Sequence, residues 1–120
     1  MYQITFSDQS IIEINHLDIS SQMSLISKLS DLVSEDLKKK DEKIGNFKRK
    51  GKTYYRLRMG ELRCYFTTIK LTLYVEFILH KNTFSDFVFR FKLPVADESV
   101  LEQESGFWQY LESLNKAKEK

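Results

Sequence analysis

The sequence predicts an α+β fold: an antiparallel sheet with helices packed on one face, in the order β-α-α-β-β-β, followed by one more helix. Three observations carry this. Tyr54-Tyr55-Arg56-Leu57-Arg58-Met59 and Leu62-Arg63-Cys64-Tyr65-Phe66 read as two strands joined by Gly60-Glu61, since a two-residue loop opening with Gly suits a type II′ turn. Residues 71–80 alternate Leu71, Leu73, Val75, Phe77, Leu79 against Thr72, Tyr74, Glu76, Ile78, His80, which is strand periodicity. Met23, Leu25, Ile26, Leu29, Leu32, Val33 and Leu37 recur at spacings of three and four, the pattern of one amphipathic helix of roughly twenty residues.

The elements follow in order. Tyr2 to Phe6 alternates and reads as a first strand. Ser7 or Asp8 caps a short helix running to about Leu17 with Ile11, Ile12 and Ile14 apolar, and Asp18 or Ser20 caps the long one. Lys38 to Gly51 reads as a basic connector, broken by Gly45-Asn46 and Gly51. The hairpin and the third strand of that meander then run from Lys52 to His80, with Lys70-Leu71 as a second two-residue turn. Lys81 to Asp86 reads as a polar turn and Phe87 to Phe91 as a last short strand. Pro94 punctuates, and Asp97 to about Lys118 reads as a C-terminal helix with Val100, Leu101, Phe107, Trp108, Leu111 and Leu114 on one side.

Composition narrows the function classes. At 120 residues, 42% hydrophobic and 30% charged, the chain has the makeup of a soluble globular protein. A single cysteine, Cys64, builds neither a disulfide framework nor a cysteine metal site, and no metal or cofactor is expected. With no long apolar run and no signal-peptide layout at the start, the expected location is the cytoplasm, away from membranes. The net charge of +2 hides an asymmetry. Residues 1–37 carry one positive and six negative charges, whereas residues 38–63 carry eleven positive and three negative. A basic block between acidic ends is the distribution of a nucleic-acid face on a domain that is otherwise not adhesive.

The two-residue loop sets the hairpin register: Met59 faces Leu62, Arg58 faces Arg63, Leu57 faces Cys64, Arg56 faces Tyr65, and Tyr55 faces Phe66. One face is then Tyr55, Leu57, Met59, Leu62, Cys64 and Phe66, a core face. The other is Tyr54, Arg56, Arg58, Arg63 and Tyr65. Like charges directly opposite on a sheet repel, so this face calls for an anion, and phosphate suits the arginine fork. Pairing across Lys70-Leu71 brings Glu76, Ile78 and His80 onto the same face. Lys48, Arg49, Lys50 and Lys52 add phosphate-binding charge, and Tyr54 and Tyr65 offer rings on which an unpaired base could stack. A solvated charged strand face is the plain reading of the same residues.

Thr53 to Phe66 resembles the "YRLRVGDYRVIY" core of RelE/ParE-family toxins, and His80-Lys81 with Phe87-Val88-Phe89-Arg90 resembles that family's closing "GHRREVYR". The resemblance covers about residues 1–92, taken as a RelE/ParE-like toxin domain, and leaves residues 93–120 as a C-terminal helical extension. It implies a bacterial toxin held by a cognate antitoxin. RelE-like members cut mRNA in the ribosomal A site, and ParE-like members poison DNA gyrase. The implied hairpin positions are Arg56, Arg58 and Arg63; the closing basic residue is His80 or Lys81; the closing tyrosine falls on Phe89, which has no hydroxyl.

Cleavage beside a ribose 2′-OH needs a base, stabilisation of the pentavalent phosphorane and an acid for the leaving oxygen. Arginine supplies the second and not the first, because it does not deprotonate in proteins. The base is then His80 or Glu76, and the acid is the other of these or Lys81. The runner-up functions are a non-catalytic RNA- or ribosome-binding protein on the same fold and a ParE-like gyrase inhibitor. The acidic, apolar-striped C-terminal helix is open to three uses: masking the basic face, enlarging the core, or pairing two chains as a homodimer.

Overall fold

Two short side chains start the first two helices. In the computed structural model, which describes residues 2–32, 34–38, 44–92 and 98–118, β1 (Gln3–Phe6) leads into α1 (Asp8–Asn15) and α2 (Ile19–Ser30). Ser7 Oγ accepts from the Ser10 N–H, and Asp18 Oδ1 accepts from the Ser21 N–H at 2.6 Å. Each cap satisfies an amide that its helix leaves without an internal partner. α2 stops at Asp31, and a separate α3 (Ser34–Lys38) follows, so the single long helix expected here is two. Leu25 and Leu29 are fully buried, whereas Ile19, Met23 and Ile26 are exposed; the spacing overstated the width of the core stripe. Val33 lies outside the described residues.

The sheet has five strands in the order β1-β5-β4-β3-β2. β2 (Ile44–Arg49) occupies part of the stretch read as a connector, and Lys39, Lys40 and Lys43 of that stretch lie outside the described residues. β2 pairs with β3 (Lys52–Met59) around Lys50-Gly51, whose φ angles of +54° and +76° are those of a type I′ turn. β3 pairs with β4 (Leu62–Ile69) in the register set by Gly60-Glu61, from Tyr55 opposite Phe66 to Met59 opposite Leu62. Gly60 has φ +58° and Glu61 does not share the positive sign, which fits the type II′ loop. Lys70-Leu71 leads into β5 (Thr72–His80). β1 runs parallel to β5, so the sheet is mixed and not wholly antiparallel.

β1 is only four residues long, and β5 outruns it. Beyond their pairing the Gln9 side-chain amide takes over. Its Nε2 donates to the Ile78 carbonyl and its Oε1 accepts from the Ile78 N–H, both at 2.9 Å. The alternation of β5 shifts at this point. Ile78 joins the cluster of Leu73 and Val75, although strict alternation places it on the opposite face; Phe77 and Leu79, expected in that cluster, are buried outside it. The cluster holds Leu57, Leu62, Cys64 and Phe66 of the predicted hairpin core face, with Tyr55 and Met59 partly buried against it, and takes in Ile14, Leu25, Leu29 and Leu37 from the three helices and Leu32 from the link between α2 and α3.

The chain divides into two compact units, residues 1–79 and 80–120. In the second unit, Lys81 to Arg90 is a helix, α4, where a turn and a strand were expected. The C-terminal helix is two pieces, α5 (Glu98–Leu101) and α6 (Ser105–Lys118). Asp97, Pro94 and the side chain of Leu114 lie outside the described residues, and Val100 is exposed. Phe84 stacks on Phe107 at 5.0 Å between ring centroids, and Phe87 meets Phe107 at 5.1 Å and Tyr110 at 5.6 Å. The Trp108 indole N–H donates to the Glu102 carbonyl at 2.8 Å.

Candidate nucleic-acid interface

The sheet face opposite α1, α2 and α3 carries Gly45, Phe47 and Arg49 from β2, Tyr54, Arg56 and Arg58 from β3, and Arg63 and Tyr65 from β4. It was expected to lie open. Instead Tyr54, Arg56, Arg63 and Tyr65 are buried, Tyr65 completely, while Arg49 and Arg58 are half-buried. Part of the cover comes from β2, which sequence reasoning did not place in the sheet. Phe47 stacks on Tyr54 at 5.7 Å and meets Tyr65 edge-on at 6.0 Å.

Arg58 and Arg63 stand directly opposite, as the register requires. The chain eases that repulsion with its own dipoles. Arg63 Nη1 donates to the Gly60 carbonyl at 2.8 Å and the Leu62 carbonyl at 2.9 Å, so one arm of its guanidinium is committed to the hairpin loop. Arg56 lies across Gly45, the residue opposite it on β2. Gly45 was read as a break, but it is a seat: any side chain there meets the guanidinium. The signal in sequence was the alternation Gly45-Phe47-Arg49 followed by the turn Lys50-Gly51.

Glu76 reaches this face beside Tyr54. Burial, the Glu76 charge and the hydrogen bond to Glu76 raise the Tyr54 pKa above its ordinary value, against a smaller opposing effect of Arg49. Arg49 Nη1 donates to Tyr54 Oη at 3.4 Å, and its guanidinium carbon is 5.8 Å from the ring centroid. Glu76 Oε2 is buried and accepts no hydrogen bond among the described residues. A tyrosine hydroxyl is thus held between a cation and a carboxylate, with one carboxylate oxygen in reserve.

The exposed charge lies at the tip of the β2–β3 hairpin, where Lys48, Lys50 and Lys52 are all exposed beside Arg49. His80 and Lys81 belong to the second unit. Both are exposed: His80 ends β5 and occupies the N-cap position of α4 without a side-chain cap bond, and Lys81 is the first residue of α4. Phe89 is 84% exposed on α4. Among the described residues no three His, Cys, Asp or Glu side chains gather to hold a metal, and no helix is long and apolar enough to cross a membrane.

No known family's sequence profile matches the chain. No curated protein matches it either. Among solved structures, it is similar to a chain described as "Crystal Structure of RelB-RelE antitoxin-toxin complex from Methanococcus jannaschii", with TM-score 0.47 and 18% identity over 69% of this chain and 96% of that one. At that identity and overlap, the functional reading rests on this chain's own side chains.

Proposed function

We propose that the chain acts on RNA as a RelE-like toxin, a ribosome-dependent mRNA endonuclease restrained by an antitoxin, and that the β2–β3 hairpin grips the phosphate backbone. One observation carries the RNA reading: Lys48, Arg49, Lys50 and Lys52 fall within five residues at a single hairpin tip, and the three lysines are exposed. Such a tip meets a polyanion without unfolding anything. Arg58, at the opposite end of β3 from that tip, is less buried than Arg56 and Arg63 and adds charge stabilisation at the β3–β4 loop end of the sheet. For the chemistry, Glu76 or His80 takes the 2′-OH proton, and the arginines stay cationic to stabilise the phosphorane. Lys81 or the remaining one of that pair protonates the leaving oxygen.

The second reading is a non-catalytic RNA- or ribosome-binding protein on the same scaffold. Two observations favour it: the commitment of Arg63 to the hairpin carbonyls, and the absence of a hydroxyl at exposed Phe89.

The test uses the purified full chain on ribosomes carrying mRNA, with cleavage ends mapped. Cuts in the A-site codon, lost in His80→Ala or Glu76→Gln, support the endonuclease. Binding without cuts supports the second reading, and DNA damage with intact mRNA on expression points to the gyrase class. The Lys48→Ala/Lys50→Ala/Lys52→Ala variant weakens RNA binding, and each lost phosphate contact flattens the log–log salt slope by about 0.7–0.9. Unchanged affinity in that variant at low salt removes the hairpin from the interface.

A further inference from the structure

The turns between β2 and β5 divide between two ends of the sheet. The β2–β3 and β4–β5 turns share one end, and the β3–β4 loop lies at the other. Counting on along both strands from the Tyr55–Phe66 pair sets Lys52 level with Ile69, the last residue of β4. The shared end therefore carries Lys48, Lys50 and Lys52 on one tip and Ile69, Lys70 and Leu71 on the next, all exposed. The one acid between residues 44 and 72 is Glu61, at the opposite end.

Charge explains the lysines of this end and leaves Ile69 and Leu71 without a reason to be there. They are 67% and 74% exposed on either side of Lys70. A two-residue turn favours Gly, Asn or Asp, which take a positive φ at little cost. Here Lys70 takes φ +54° and Leu71 follows it. The Leu71 carbonyl accepts from the Gln3 N–H at 2.7 Å, so β1 fixes the backbone that holds this side chain out. The tip is anchored, and its turn chemistry yields to a cation set between two aliphatic side chains.

We propose that this end of the sheet docks on an anionic lipid surface, with Ile69 and Leu71 entering the acyl boundary and Lys48, Lys50, Lys52 and Lys70 meeting the headgroup phosphates. Docking of this kind is peripheral and needs no spanning helix. A lipid surface matches both halves of the end. Its charge strengthens binding by about fivefold for each nearby lysine, and its hydrocarbon takes up the aliphatic side chains. RNA phosphates meet the same lysines but leave Ile69 and Leu71 in water, since neither has a π-face on which a base could stack. The proposal goes beyond the RNA reading and does not depend on it; lipid and RNA compete for the three hairpin lysines.

Sedimentation of the full chain with vesicles tests this, with equal parts of phosphatidylglycerol and phosphatidylcholine compared with phosphatidylcholine alone. The wild type binds the anionic vesicles and far less the neutral ones, and salt weakens the binding. Lys70→Ala loses about fivefold. Ile69→Ser/Leu71→Ser loses about tenfold or more and leaves RNA affinity unchanged. Leu71→Trp places an indole at the tip, and its emission shifts to the blue on anionic vesicles; Trp108, 1% exposed, is already shielded from water. All these positions are exposed, so the variants leave the core intact. A wild type that does not sediment with anionic vesicles overturns the proposal. So does vesicle affinity of Ile69→Ser/Leu71→Ser equal to that of wild type, which means adsorption by charge alone. Equal losses of RNA and vesicle binding in that variant assign the tip to polyanions in general and overturn the commitment to lipid. Vesicle binding by a chain that binds no RNA keeps this proposal and removes the RNA reading.

Discussion

The guanidinium of Arg56 lies across Gly45, so that a β-carbon at residue 45 would stand 2.9 Å from Arg56 Cζ and closer still to Nη2. Two residues of adjacent strands thus share one volume, and the smaller exists to admit the larger. Arg56 is 9% exposed, which leaves its head group little room to swing away. Gly45→Ala is expected to cost about 1–3 kcal/mol through overpacking. In an Arg56→Ala background the same change is nearly neutral. Urea denaturation of the two single variants and the double variant measures the coupling, and additive losses would show that the two residues do not compete.

Arg63 is a structural residue as much as a charge. Its two hydrogen bonds to the hairpin-loop carbonyls and its 8% exposure mean that Arg63→Ala strips partners from Gly60 and Leu62. A loss of about 1.5–3 kcal/mol is expected, the range for hydrogen bonds from a charged group. A solvated charged strand face, the plain reading of the sequence, would make the same substitution nearly neutral for folding. A thermal midpoint unchanged from wild type would return Arg63 to that reading.

Gln9 substitutes for a missing strand residue. Gln9→Leu leaves the Ile78 N–H and carbonyl without their partner, and the expected cost is about 1–3 kcal/mol for each buried group left unsatisfied. Hydrogen exchange at the Ile78 amide reads the effect locally. Protection there should fall in Gln9→Leu, while amides paired within β3 and β4 keep theirs.

Alkaline pH should destabilise the fold through Cys64. Complete burial pushes its thiol up from 9.0 to about 12. The unfolded chain therefore releases this proton first, so the contribution is full below about pH 9 and declines as pH rises toward 12. Tyr54, also raised, acts in the same direction above pH 10. Cys64→Ala should flatten the fall of the urea midpoint between pH 8 and 11. In the wild type, iodoacetamide at pH 8 should label Cys64 only as fast as the protein opens.

Local chemistry was sufficient for the β3–β4 hairpin and the first helix starts. A two-residue loop leaves one register, strand alternation then assigns every side chain to a face, and Ser7 and Asp18 each bond an amide three residues on. The basic charge at residues 48–52 was equally plain, because charge is a property of composition. Three other features depended on partners far away in sequence. Residues 44–49 carry Gly45-Asn46, a break by local preference, and become a strand only because β3 supplies the ladder. Phe87-Val88-Phe89-Arg90-Phe91 fits both periods, two for Phe87, Phe89 and Phe91 and helical for Phe84, Phe87 and Phe91; the rings of Phe107 and Tyr110 select the helix. Burial of the arginine face was decided in the same way. Alternation tells which side chains share a face and is silent on what covers it, and the packing of Phe47 against Tyr54 and Tyr65 exists only once β2 is in the sheet.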